Sequence, residues 1–139
     1  MRVKGLNGRE YNLNLQKYAV NERSKKSYYH IQASELLRDI FKGYNIYEEV
    51  KLPGSTQRYK RSVLYLDFFI PNANIAVEVH GQQHFKYIPF FHKSLAGFAK
   101  ARGRDRDKTE WCKVNDIELV VLRFDEDIEY WREKIEFSR

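Results

Sequence analysis

The part of the chain with the fewest ways to fold is the stretch LYLDFFIPNANIAVEVHGQQHF, residues 64–85. Residues 62–70 and 75–80 are dense in aromatic and β-branched side chains, which is strand composition. Pro71, Asn72, Ala73 and Asn74 between them supply a four-residue hairpin loop, because proline presets φ and asparagine tolerates left-handed backbone. The register then follows by counting: Ile70 pairs with Ile75, Phe69 with Ala76, Phe68 with Val77, and Asp67 with Glu78. Directly opposed residues of antiparallel strands have Cβ atoms about 4.5–5.5 Å apart, so this register sets two carboxylates side by side. Like charges in that position are destabilising unless something offsets them. A divalent cation does so, and Mg²⁺ takes hard oxygen ligands, typically one or two carboxylates completed by waters and substrate phosphate. His80 lies two residues beyond Glu78 and so shares its face. With an ordinary pKa of about 6.5, a histidine there is suited to orient or deprotonate a metal-bound water. The same residues permit another arrangement, in which both acids stand on the wet face of the hairpin while Phe68, Val77 and Val79 are buried. A one-residue slip of register would also part the pair.

Around this hairpin the chain reads as one domain of 139 residues. Residues 5–20 suggest a small strand or hairpin, so that residues 1–23 form either a basic arm or a small hairpin. Residues 24–42 read as a helix, with Ala33, Leu36, Leu37, Ile40, Phe41 and Tyr44 as its apolar stripe, Ser24 or Ser27 as its cap and Gly43 as its stop. A short strand, NIYEEVKL, follows, and then the polar stretch GSTQRYKR as a loop. After the hairpin, Gly81 permits a tight turn or the close approach of a phosphodiester backbone, residues 85–103 are part loop and part helix, and 104–114 are helical. The run Leu119-Val120-Val121-Leu122 fits a strand buried on both faces, and the chain ends in a helix whose shared face is Ile128, Trp131 and Ile135. The order is helix, three strands, helix, strand, helix: an α/β fold with a mixed central sheet flanked by helices.

Charge points to a partner. The net charge is +6, and the segment from Lys86 to Lys113 sets eight lysines and arginines against three acids. Near the N-terminus Arg2, Lys4, Arg9, Lys17, Arg23, Lys25 and Lys26 are interleaved with Tyr11, Tyr18, Tyr28 and Tyr29. Cations among tyrosines suit phosphate, sugar and unstacked bases, so DNA is the expected partner, though ordinary surface packing uses the same residues. No apolar run approaches the roughly 20 residues of a membrane helix, and MRVKGLNGRE has no signal-peptide core, so a cytoplasmic protein is expected. The lone cysteine, Cys112, leaves no internal disulfide or multi-cysteine zinc site and reads as a packed thiol.

The motif itself, Asp67, ten residues, then Glu78-Val79-His80, resembles the PD-(D/E)XK nuclease pattern. The phrase YLDFFIPNANIAVEVHGQQHF is similar to small phage and bacterial endonuclease-like proteins of that superfamily. VHG followed by a histidine resembles the very-short-patch-repair endonuclease branch and related homing endonucleases. RDRDKTEWCKVNDIELVVLRF resembles the helix and strand that follow the motif, and the likeness spans residues 27–125. It implies a restriction-endonuclease-like fold and Mg²⁺-dependent cleavage of DNA phosphodiesters, with Mn²⁺ as a substitute, in the cytoplasm of a bacterial or phage-infected cell. On that reading Asp67 and Glu78 are the metal-binding acids. His80 stands at the motif lysine's position, as in the repair branch, and positions the attacking water. His84 resembles that branch's second histidine with spacing shorter by one. Asp105 or Asp107, with Lys108, comes from the following helix to face phosphate or metal.

The chain departs from the pattern in several places. Leu66 replaces the proline, the strand lysine is absent, which excludes a lysine-based mechanism, and Glu78 follows the wider superfamily where the repair branch has an apolar residue. Glu35 is the candidate for the first-helix glutamate of some relatives, although a regular helix turns it away from the apolar stripe. Double-strand cleavage by so small a domain calls for two active sites, hence a homodimer. Two other functions fit the same residues: a non-catalytic DNA-binding protein on a nuclease-like fold, and a structure-selective resolvase.

Overall fold

The computed structural model of the chain describes residues 1–18, 27–55 and 64–139. Arg23, Lys25, Lys26, the alternative cap Ser24, most of the polar loop and residues 62–63 lie outside the described residues. The elements are β1 (Arg2–Lys4), β2 (Glu10–Asn12), α1 (Tyr28–Ile40), β3 (Tyr47–Leu52), β4 (Leu64–Ile70), β5 (Ile75–His80), α2 (Pro89–His92), α3 (Leu95–Val114), β6 (Glu118–Arg123) and α4 (Ile128–Ser138). β3 to β6 form a four-stranded sheet in the order β3-β4-β5-β6, with β6 parallel to β5 and the other pairs antiparallel. The α/β class and the mixed, helix-flanked sheet are as the sequence indicates.

The hairpin is built as its loop requires. Pro71–Ala73 make a single 3₁₀ turn, Asn74 takes φ 57° in the left-handed region, and Ile70, Phe69 and Phe68 pair with Ile75, Ala76 and Val77. The side chain of Asn74 donates to the carbonyl of Asp116, which fixes the loop to the start of β6. Strand alternation splits the core in two. Ile75 and Val77 face Ala33, Leu36, Leu37 and Ile40 of α1 and Trp131 and Ile135 of α4. Ala76, together with Leu64, Leu66 and Phe69, faces Trp111 and Cys112 of α3 and Val3 and Leu13 of the N-terminal hairpin. Residues 1–13 are therefore a packed hairpin rather than a free arm, with β1 and β2 antiparallel and Asn115 of α3 bonded to both the N–H and the carbonyl of Lys4.

Several details differ from the sequence expectation. α1 is capped by Ser27, whose hydroxyl accepts from His30 N–H. Tyr44 lies beyond the helix and is 38% exposed, so it leaves the stripe. Ile128 is 43% exposed, because as the first residue of α4 it precedes the turn that reaches the sheet. In β6 only Val120 and Leu122 are fully buried; Leu119 and Val121 are half-buried, since the N-terminal hairpin and α3 cover that face incompletely. α3 starts at Leu95, within the stretch expected to be part loop and part helix, and runs unbroken through 104–114; it is capped by Ser94, whose hydroxyl accepts from Gly97 N–H. Gly97 is obligatory there: a Cβ would stand 2.2 Å from the carbonyl oxygen of His92, where α2 meets α3. Gly81, by contrast, has φ −77° and ψ 179°, an extended conformation open to any residue.

Cys112 is buried, and burial first, then the charge of Glu78, pushes its thiol up to about 12, as befits a packing residue. Trp111 beside it is fully buried and donates its indole N–H to the Pro53 carbonyl at 2.9 Å, so one side chain ties α3 to the sheet. Trp111→Ala is expected to cost about 3–5 kcal/mol in urea unfolding, and Trp111→Phe, which keeps most of the volume and loses the hydrogen bond, markedly less.

Candidate metal-binding centre

The ladder between β4 and β5 ends at Phe68 and Val77, one residue short of the acids. Beyond it side chains replace backbone partners. The N–H of Asp67 donates to Glu78 Oε2 at 2.7 Å, and the N–H of Val79 donates to Asp67 Oδ2 at 2.8 Å. Each carboxylate thus accepts an N–H from the other's strand, and the two are interlocked. Glu78, on the Ala76 side of β5, is 2% exposed, which removes the arrangement with both acids on a wet face.

A buried carboxylate needs compensating charge. It comes from α3, whose Lys108 Nζ stands 2.6 Å from Glu78 Oε1. The strand lysine of the pattern is absent, and Lys108, expected from the following helix to face phosphate or metal, places its ammonium on the Glu78 carboxylate instead. Burial pushes the Glu78 carboxyl up, but His80, Lys108 and the Asp67 N–H together outweigh it and hold the group down at about 2. Among these Lys108 is the firmer partner, because His80 Nε2, at 3.9 Å from Oε1, is beyond hydrogen-bond range. Asp67 goes the other way. Burial first, then the negative charge of Glu78, push its carboxyl up to about 7 against the N–H of Val79 and the charge of Lys108. Lys108 is itself raised: burial opposes its charge, and the carboxylates of Glu78, Asp67 and Asp105 prevail.

The histidines stand beside this pair. His80 ends β5 and is buried; the 3₁₀ turn Gln82–His84 folds back so that the two imidazoles stack, with centroids 4.0 Å apart and planes 10° apart. Asp105 of α3 meets His84, with Oδ2 2.8 Å from Nδ1. Asp105 and Lys108 are three residues apart and share one face of the helix, whereas Asp107 is turned by about 200° from Asp105. Asp107 accordingly is not among the residues lining the cavity. Glu35 is exposed on α1 and also lies outside the cavity lining. The structure thus brings together Asp67, Glu78, His80, His84, Asp105 and Lys108, and leaves Asp107 and Glu35 apart from them.

A cavity of about 780 Å³ opens onto the cluster, with Asp67, His84, Asp105 and Lys108 in its wall together with Tyr65, Phe91 and Arg104. Glu49 also lines it. This residue takes φ 51°, conformationally costly for a glutamate, between ladder pairs that join Glu48 to Phe68 and Val50 to Leu66. Sequence reasoning passed over Glu49, whose only local signal is one more acid in YEEV. It also passed over His30, which is buried against Glu48 (Nε2 to Oε1, 2.7 Å) and stacked on Phe68 beneath the centre. Lys86, Lys93, Lys100, Arg102 and Arg104 are exposed, as are Phe90 and Phe91, and of these Arg104 and Phe91 line the cavity. Of the N-terminal tyrosines only Tyr28 and Tyr29 are exposed; Tyr11 and Tyr18 pack on the core.

Comparison with known proteins gives narrow similarity. The uncharacterized protein 307L of invertebrate iridescent virus 6 is 37% identical over 61 residues, and the uncharacterized protein 033L of invertebrate iridescent virus 3 is 30% identical over 61 residues. Each match covers 44% of this chain and 31% of the viral protein, so the chain spans about a third of the length of the curated relatives it matches. No family model matches the chain, and no solved structure matches it. Among the described residues no helix is long and apolar enough to cross a membrane.

The opposed shifts fix a pH dependence for the metal-free protein. Asp67 is raised from its ordinary 3.8 to about 7, so its contribution to stability is full below 3.8 and is lost as pH rises through 7. Glu78 is lowered from 4.5 to about 2, so its contribution is present above 4.5 and is lost as pH falls toward 2. Between pH 4.5 and 7.5 the urea stability of the wild type is expected to fall relative to Asp67→Asn by on the order of 2–4 kcal/mol. Parallel curves for the two proteins would mean that Asp67 ionises freely in the fold.

Proposed function

We propose that the protein is a metal-dependent DNA endonuclease that hydrolyses phosphodiesters, in which Asp67 and Glu78 would hold Mg²⁺, or Mn²⁺ in its place. The observation that carries this reading is the interlocked, buried carboxylate pair, of which Asp67 lines the cavity and Glu78 lies behind it. Two acids forced together, short of compensating charge once Asp67 ionises, form the oxygen-rich site that a hard divalent cation takes. The element order α1-β3-β4-β5-α2-α3-β6, with α2 a short added turn and β6 parallel to β5, is consistent with the restriction-endonuclease-like arrangement that the motif resembles.

Hydrolysis needs a nucleophilic water, neutralisation of the phosphate and stabilisation of the leaving oxygen, and the cation supplies much of this when bound. This chain's own groups divide the rest. Asp67 and Glu78 provide oxygen ligands held in place by opposing strand N–H groups. Lys108, its ammonium anchored on Glu78, is poised to neutralise a phosphate oxygen, and His80 lies close enough to orient the water. Arg104 in the cavity wall and the exposed lysines favour the nucleic-acid backbone, through contacts that weaken steeply with salt. The exposed Phe90 and Phe91 favour single-stranded or branched DNA within the same reading, since they offer ring faces to unstacked bases.

Plasmid nicking in Mg²⁺ or Mn²⁺ tests the proposal. Asp67→Ala and Glu78→Ala are each expected to lower the cleavage rate by more than about 100-fold while the proteins stay folded. Equal cleavage by all three would sink the site, and salt-dependent binding without cleavage under any metal would favour a non-catalytic DNA-binding protein. Faster cutting of branched than of duplex substrate would identify a structure-selective enzyme.

A further inference from the structure

His80, His84 and Asp105 have a chemistry that the carboxylate pair lacks. Each offers one ligand atom, and the three atoms lie within 4.8 Å of one another. Two come from imidazole. Mg²⁺ favours an all-oxygen shell, whereas imidazole nitrogen suits Zn²⁺ and its neighbours in the first transition row. Two histidines and a carboxylate with a fourth position left to water is the ligand count of a catalytic zinc centre.

The geometry points to a second metal site, made by His80, His84 and Asp105, that takes a borderline divalent cation of the Zn²⁺ type and is distinct from the Asp67–Glu78 pair. Zinc bonds of about 2.0–2.2 Å place tetrahedral ligand atoms about 3.4 Å apart, and the three ligand atoms, within 4.8 Å of one another, bracket that spacing. The backbone already sets them up. His80 is fixed at the end of β5, the turn Gln82–His84 lays the second ring on the first, and α3, anchored by Trp111, presents Asp105. The His84–Asp105 contact at 2.8 Å is a direct hydrogen bond, which a shared cation would open by a few tenths of an ångström. The His80 side chain is 11% exposed, while those of His84 and Asp105 are 24% and 23% exposed and line the cavity. The open coordination position therefore faces the space where Asp67 and Lys108 also point. A cation there would lower the pKa of its bound water to about 7 and hold a hydroxide at neutral pH beside the carboxylate pair.

The site does not depend on the nuclease reading, and its test avoids DNA. The metal-free 139-residue chain is titrated with Co²⁺ and followed by visible d–d absorption, with far-UV circular dichroism to confirm folding. Wild type is expected to take up one equivalent of Co²⁺ with intense visible bands that Zn²⁺ abolishes and millimolar Mg²⁺ does not. His84→Ala and, separately, Asp105→Asn are expected to weaken Co²⁺ binding more than about 10-fold. Asp67→Asn should bind within about 3-fold of wild type, well inside the loss set for a ligand. Absence of the bands in wild type overturns the inference, as does retention of tight binding in both His84→Ala and Asp105→Asn. A loss in Asp67→Asn equal to that in His84→Ala also overturns it, by placing the cation on the carboxylate pair. Mg²⁺-dependent cleavage by a protein with no Co²⁺ site would sink this inference alone.

Discussion

Two carboxylates accepting each other's strand N–H groups in a buried position govern much of this structure. Burying one unpaired carboxylate costs several kcal/mol, and burying two that repel costs more, so their surroundings must be stiff and already polar. Stiffness comes from the hairpin. Its turn is pinned by Pro71, Asn74 and the Asn74–Asp116 contact, and its apolar side chains are buried in both core clusters. Polarity comes from the point where the ladder stops. Because Phe68 and Val77 are the last paired residues, the next N–H groups on each strand are released to the acids. The apolar strands and the polar interruptions are one device, since only a hairpin this well buried holds the acids in a fixed relation.

The second constraint is α3. Its inward face changes character along its length: Trp111 and Cys112 pack in the core, and Lys108 and Asp105, one turn at a time toward the N-terminus, reach Glu78 and His84. Helical spacing of three to four residues converts one packed tryptophan into the placement of two functional side chains. The N-terminal hairpin bears on this indirectly, because Asn115 clamps Lys4 and so braces the far end of the same helix.

The sequence carried the hairpin as far as Phe68 and Val77, where the ladder stops short of the expected Asp67–Glu78 pair, and the rest in proportion to its periodicity. Counting across PNAN gives the observed pairs, and with them the proximity of Asp67 and Glu78. The true start of α3 was not legible. Its N-terminal half, LAGFAKARGRDR, contains two glycines and buries nothing completely, so there is no apolar stripe to count. Asp105 and Asp107 both fall in the expected helix, and phasing it on the buried Cys112 separates them: Lys108 and Asp105, four and seven residues back, share its face, and Asp107 does not. Lys108 at Glu78 was invisible for another reason: the pairing joins residues 30 apart in sequence through tertiary packing. Glu49 shows the reverse case, in which strand alternation was a good guide until a left-handed residue broke it.

The charge arithmetic of the centre explains why it accepts more than one state. At low pH a proton on Asp67 leaves one carboxylate against one ammonium, and the buried group is balanced. As pH rises through 7 that proton leaves, and two carboxylates face a single Lys108. An excess negative charge in a low-dielectric pocket attracts whatever positive charge can enter, and the cavity gives a small hydrated cation that access. On the proposed function the cation replaces the proton, so metal binding should release protons most strongly near neutral pH, where Asp67 is half-titrated. On the same proposal Lys108 would be drawn less tightly to Glu78 and would be available to a phosphate. The acids that strain the apo hairpin would be the same groups that bind the metal, and the proton on Asp67 is what makes that strain tolerable before metal arrives.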